Sequence, residues 1–117
     1  MLKQVSFASL VKRALFLLCA APLVVLAQEW PNKPITIVVP FNAGGDADQS
    51  ARNLATVAQN VLKQSIIIVN KGGASGAIGS QFVKDALPDG YTLLMARVGS
   101  QSVLPAMKSD LSYKWND

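Results

Sequence analysis

The sequence contains no histidine and a single cysteine, Cys19. Without histidine it cannot supply a Ser-His-Asp triad, a Cys-His pair or a His-ligated zinc. Cys19 lies inside an apolar N-terminal run, so the remainder can form no internal disulfide; that lack is compatible with an oxidising compartment. Acidic residues are missing from positions 1–27, although seven occur in the whole chain. No basic run and no Arg/Lys patch with interleaved aromatics is present, which removes support for nucleic-acid binding. Half of the residues are hydrophobic and 15% are charged, a balance that excludes a disordered tail. At 117 residues there is room for one domain at most.

What is there divides at position 27. Lys3, Lys12 and Arg13 form a basic start, and Ala14 to Leu26 is apolar throughout, with Pro22 as its one interruption. Val25-Leu26-Ala27 then offers modest side chains at the −3 and −1 positions of a cleavage site. This is the pattern of a secretory signal peptide over residues 1–27, cut between Ala27 and Gln28. A run of about 13 residues reaches roughly 20 Å as a helix, short of the ~30 Å hydrocarbon core, which argues against a membrane anchor. Leu18 stands where lipoprotein processing at Cys19 would need a small residue, so Cys19 reads as filler. Beyond position 27, eight basic residues face seven acidic ones, a net charge of +1 against +4 for the whole chain. The basic character of the chain is largely that of its targeting segment.

Residues 28–117 alternate β-branched runs with helical patterns. Ile35-Thr36-Ile37-Val38-Val39 and Ile66-Ile67-Ile68-Val69 read as strands covered on both faces. Tyr91 to Met95 is a third, introduced by the turn Pro88-Asp89-Gly90. Between the first two, Ala47, Ala51, Leu54, Ala55, Ala58, Val61 and Leu62 trace one helical face. Asp46 and Gln49 have the spacing of a capping box, which makes Asp46 the expected N-cap. A second helix is expected from about Ala77 to Ala86, burying Ile78, Phe82 and Ala86. The order β-α-β-α-β predicts a parallel sheet with helices on both faces.

In such a sheet, the segment from Pro40 to Gly45 lies at the carboxyl end of the first strand, where open α/β folds bind ligands. Gly44 and Gly45 permit a tight strand-to-helix turn; they also bring bare N–H groups to a helix N-terminus suited to a carboxylate or phosphate. Arg97 follows the third strand. It reads as a solvated surface residue, a bidentate clamp on a ligand carboxylate, or a counter-ion for Asp46. The charge of Asp46 opposes a nearby anion unless it is folded onto the helix or the ligand also carries a positive group. The glycines from Gly72 to Gly79 lack the Gly-x-Gly-x-x-Gly spacing of a dinucleotide site and read as sites of close loop–helix packing. Ser75 lies outside a Gly-x-Ser-x-Gly frame. Asp46 and Asp48 make a poor metal pair, with Asp48 placed to help the helix N-terminus. No cofactor is expected.

Several motifs, in order, carry a family resemblance. They are Trp30-Pro31-Asn32-Lys33-Pro34-Ile35, Val39-Pro40-Phe41 with Gly44-Gly45 and Asp48, and Ala51-Arg52. Next come Asn70 with Gly73, Gly76 and Gly79, then Pro88 to Leu94, Pro105-Ala106 and Leu111-Ser112-Tyr113. From Trp30 to Asp117 the chain resembles the receptor proteins of tripartite tricarboxylate transporters, the Bug family. The resemblance implies a type II periplasmic-binding-protein-like α/β fold, in which two domains close on a small carboxylate or zwitterion for a membrane transporter, without catalysis. It also implies ligand contacts from Phe41, Asn42, Ala43, Gly44 and Gly45, and from Arg97, Gly99 and Ser100 within the loop Ala96 to Ser102. Asp46 replaces a residue that is usually small and neutral in the family, and Arg97 one that is often small and polar.

With residues 28–117 as an incomplete first domain and no second, tight solute binding by this chain alone is not expected, and its fold is expected to be marginal. Two other readings remain at this point. One is an exported α/β enzyme whose catalytic residues lie in a further C-terminal half. The other is a receptor that passes the same solute to a sensor.

Overall fold

A computed structural model describes residues 29–114 and 116; the expected signal peptide, its cleavage site and Cys19 lie outside the described residues. Strand β1 runs Ile35–Val39, helix α1 Asp46–Leu62, strand β2 Ile66–Asn70, helix α2 Ala77–Lys84 and strand β3 Thr92–Leu94. A 3-10 turn, Ala74–Gly76, leads into α2. A π-type turn, Gly99–Val103, runs into a short helix, α3, over Leu104–Met107.

The three strands form one parallel sheet in the order β2-β1-β3. The central strand is β1, and Ile35, Ile37, Val38 and Val39 are all buried. A continuous β-branched run suits this place because both faces must be covered. On one face, Ile37 and Val39 pack with Ala47 and Ala51 of α1, joined by Ile66, Ile68 and Met95. On the other face α2 lies over β1 and β3. The closest approach there is at Gly79, where an added Cβ would stand 2.7 Å from Pro40 Cα and 2.8 Å from the Lys71 carbonyl oxygen. Only a residue without a side chain fits between the helix and the backbone leaving β1 and β2.

Two helix expectations need correction. The N-cap of α1 is Gly45, and Asp46 is already the first helical residue. The expected capping box does not form, because Gly45 has no side chain to accept an amide; the Gly45 carbonyl accepts the Gln49 N–H as an ordinary helical bond, and the Gly44 carbonyl accepts from the Gln49 side chain. In α2 the buried residues are Gly79 and Ser80, whereas Ile78 and Phe82 are 55% and 44% exposed. Close helix–backbone contact at Gly79 turns the small residues inward and leaves the large ones outside. Phe82 instead lies under the Lys71 ammonium, 4.2 Å from the ring centroid.

Candidate functional site

The chain leaves β1 for β2 on one side and then crosses to β3 on the other, so the loops after β1 and β3 part above the sheet. Such a reversal point is where parallel α/β sheets open a crevice at the carboxyl ends of their strands. The first wall is the segment Pro40 to Gly45. The second is Ala96 to Ser102.

The first wall is held from behind by a buried carboxylate. Asp48, on the first turn of α1, is 3% exposed. Its Oδ2 accepts the Gly44 N–H at 2.8 Å and the Arg52 Nε–H at 2.9 Å, and its Oδ1 accepts from Asn70 Nδ2 at 3.0 Å. The same Asn70 amide reaches the Phe41 carbonyl at 3.3 Å. Loop, helix and the end of β2 are thus fastened to one another. Gly44 adopts φ +83°, a left-handed conformation that glycine takes without a side-chain clash. Of the neighbours, the Arg52 side chain first and then the Gly44 N–H and Asn70 hold the Asp48 carboxyl down at about 2, below its ordinary 3.8. A depressed carboxylate stabilises the fold above its unfolded pKa and loses that contribution as pH falls through the folded one. Thermal stability is therefore expected to drop between about pH 4 and pH 2. Asp48→Asn should flatten that drop while lowering the melting temperature at neutral pH. An unchanged acid limb in the variant would show that Asp48 does not anchor the loop.

The charges facing the crevice are Asp46 and Arg97. Asp46 Oδ2 lies 2.6 Å from Arg97 Nη1, so an ion pair joins the start of α1 to the loop after β3. Asp46 Oδ1 takes the Ala47 N–H at 2.8 Å. The guanidinium first, and then this amide, hold the Asp46 carboxyl below the usual carboxylate range. Of the three roles open to Arg97, this geometry is that of the counter-ion. The expectation of bare loop N–H groups also changes, because Gly44 and Ala47 already donate to Asp48 and Asp46. Helix geometry leaves the Gly45 and Asp46 amides without an intrahelical acceptor.

The other expected contact residues divide by exposure. Asn42, Ala43, Gly45 and Gly99 are exposed, and Phe41 is half-buried. Ser100 is fully buried; its hydroxyl and its N–H both donate to the Arg97 carbonyl, and its own carbonyl accepts from the Tyr113 hydroxyl at 2.7 Å. It fastens the turn that carries Arg97 and leaves no surface for a solute. Beside the loops a hollow of ≈ 450 Å³ is lined by Phe41, Ser75, Gly99, Val103, Leu104, Met107 and Lys108. Sequence reasoning missed the role of Asn70 as the link between Phe41 and Asp48. The Asp48–Arg52 spacing of four residues was the available signal for that network. Among the described residues no group of three or more His, Cys, Asp or Glu could hold a metal, and no helix is long and apolar enough to cross a membrane.

A parallel sheet flanked by helices, with its crevice at a strand-order reversal, defines a periplasmic-binding-protein-like α/β fold, and solved periplasmic proteins share it. The model of the tripartite tricarboxylate transporter family receptors matches residues 50–117, more than half of the chain. Protein BugT of Bordetella pertussis is 43% identical over 77 residues, 66% of this chain and 23% of that protein. MatC from Rhodopseudomonas palustris, solved with bound malate, superposes with a TM-score of 0.72 at 34% identity, covering 75% of this chain and 30% of MatC. A second R. palustris protein, solved with adipate, gives a TM-score of 0.55 at 39% identity over 56% of this chain and 22% of its own. The chain belongs to the tripartite tricarboxylate transporter receptor family, the Bug family named from its motifs. It spans about a quarter of the length of the curated relatives it matches.

Proposed function

We propose that this chain contributes to an extracytoplasmic receptor that holds a small carboxylate for a tripartite transporter, with export directed by residues 1–27 and no chemistry performed on the solute. The observation that carries this reading is the convergence of the α1 N-terminus and Arg97 on one crevice in a member of this family. A guanidinium is suited to a carboxylate because its planar fork matches the two oxygens. The unpaired amides at the helix start and the positive end of its dipole add to that attraction. Relatives solved with malate and adipate support a carboxylate as the common chemistry. The hollow beside Phe41 offers room for the body of such a molecule. The partners in this reading are the solute and the membrane subunits of the transporter, with the receptor free in the periplasm.

Thermal-shift screening against mono-, di- and tricarboxylates and amino acids tests it. A solute held at about one hundred times its Kd should add about 2.7 kcal/mol, a shift on the order of 10 °C for a domain of this size. A screen in which sugars or metal ions shift the transition and carboxylates do not would refute the reading.

A further inference from the structure

We propose that the outer edge of β2 is a docking surface for an extended, acidic segment of a partner polypeptide, which joins the sheet there as a further strand. On one side β2 pairs with β1, and among the described residues no strand pairs with its other side. The Ile35 amide donates to the Ser65 carbonyl, and the Lys71 amide to the Val39 carbonyl. Backbone groups alternate in direction along a strand, so Ser65, Ile67, Val69 and Lys71 turn theirs toward β1. The amides and carbonyls of Ile66, Ile68 and Asn70 therefore face outward. Such a row is a ready template for another strand.

The devices that usually blunt a sheet edge are missing from this strand. Ile66–Asn70 contains no proline and no charged residue, and its register against β1 runs through all five residues without a bulge. At the opposite edge, β3 has only three residues. One face of β2 is open as well. Ile66 and Ile68 pack with the core under α1, whereas α2 on the other face lies over β1 and β3, and Ile67 is 49% exposed there. An added strand would gain main-chain hydrogen bonds along the edge and an apolar neighbour in Ile67.

Charge selects the occupant. Lys63 stands just before β2 and Lys71 directly after it, and among the described residues neither ammonium is paired with a carboxylate. Lys63 is exposed, and Lys71 rests on the Phe82 ring at 4.2 Å, a contact that leaves its outward N–H groups for an acceptor. Asp48, beside the end of β2, is buried and committed to Arg52 and Asn70, so it offers these lysines nothing. A second copy pairing antiparallel about Ile68 would set the Lys71 end of each strand against the Lys63 end of the other. Like charges would gather at both ends, which opposes that pairing. A strand with carboxylates on either side of a short apolar run meets the two lysines instead, and complementary charge of this kind sets partner choice.

The test titrates the isotopically labelled chain with a capped peptide, Asp-Glu-Val-Thr-Val-Thr-Val-Glu-Asp, followed by NMR. The amides of Ile66, Ile68 and Asn70 should shift and gain protection from hydrogen exchange. A peptide with lysine in place of each acidic residue should bind about tenfold more weakly or worse. The double variant Lys63→Glu, Lys71→Glu should reverse that preference. Should it lose its native spectrum, Lys63→Gln with Lys71→Gln repeats the measurement and should bring the two peptides close to equal. Peptides N-methylated on one or the other alternate set of amides test strand addition itself: one set should abolish binding and the other spare it. Equal binding of the acidic and basic peptides, equal effects of the two methylated sets, or unmoved edge amides each overturn the inference. Sedimentation that rises with concentration, with the same amides protected in the absence of peptide, assigns the edge to a second copy and overturns it too. The carboxylate reading is untouched by any of these results.

Discussion

Gly79→Val is expected to cost about 3 kcal/mol of folding stability, and Gly79→Ala somewhat less. Two effects oppose each other at this position. Replacing a helical glycine by alanine ordinarily stabilises by about 1 kcal/mol, through propensity alone. Here the new Cβ meets Pro40 Cα and Cβ at 2.7 Å and the Lys71 carbonyl oxygen at 2.8 Å. These are atoms of backbone and of a proline ring, which cannot swing aside as the end of a long side chain can. Overpacking a fixed surface costs typically 1–3 kcal/mol and occasionally more, so the clash outweighs the propensity gain. Urea denaturation followed by far-UV circular dichroism reads the difference. Gly99→Ala is the control: nothing lies within 4 Å of its added Cβ, and its stability should stay within about 0.5 kcal/mol. Equal stabilities for all of these variants would mean that α2 does not seat on Pro40 as described.

The second large effect is on binding. In a two-domain receptor that includes this chain, Arg97→Ala is expected to weaken the preferred carboxylate by about 30-fold, the equivalent of about 2 kcal/mol. Part of that loss is the missing attraction. Part is the Asp46 charge, which the wild-type pair neutralises at 2.6 Å and the variant leaves facing the solute. Arg97→Lys should recover only some of the affinity, since an ammonium keeps the charge but loses the planar fork. Titration calorimetry measures both, and an Arg97→Ala protein with wild-type affinity would remove this residue from the site.

How much of this was legible in the sequence depended on what each residue type reveals. Strands β1 and β2 were, because β-branched runs between turn residues have few other uses, and β3 was marked by the Pro88-Asp89-Gly90 turn before its apolar run. Ala47, Ala51 and Ala55 of α1 were also correctly placed on the buried face. Leu54 and Val61 were assigned to the same face yet are 52% and 74% exposed. At 100° per residue they stand roughly 60° and 80° from Ala51, on the flank of the stripe. Helix α2 misled more strongly. Hydrophobicity pointed to Ile78 and Phe82, whereas the glycine-rich run from Gly72 to Gly79 marked the close loop–helix packing that turns Gly79 and Ser80 inward. At the site, charge and position were enough to raise Asp46–Arg97 as a pair. The consumption of the Gly44 amide by Asp48 was not visible, because it depends on a loop folding back onto the helix that follows it.

The loop over β1 hangs from two attachment points, the Phe41 carbonyl on Asn70 and the Gly44 amide on Asp48. Neither attachment involves the side chain of a loop residue. Asn42 and Ala43 form the span between them, much as planks lie between fixed piers. Their side chains can be exchanged while the path of the main chain stays put, so in the proposed receptor those two positions are where solute preference would be retuned without moving the loop.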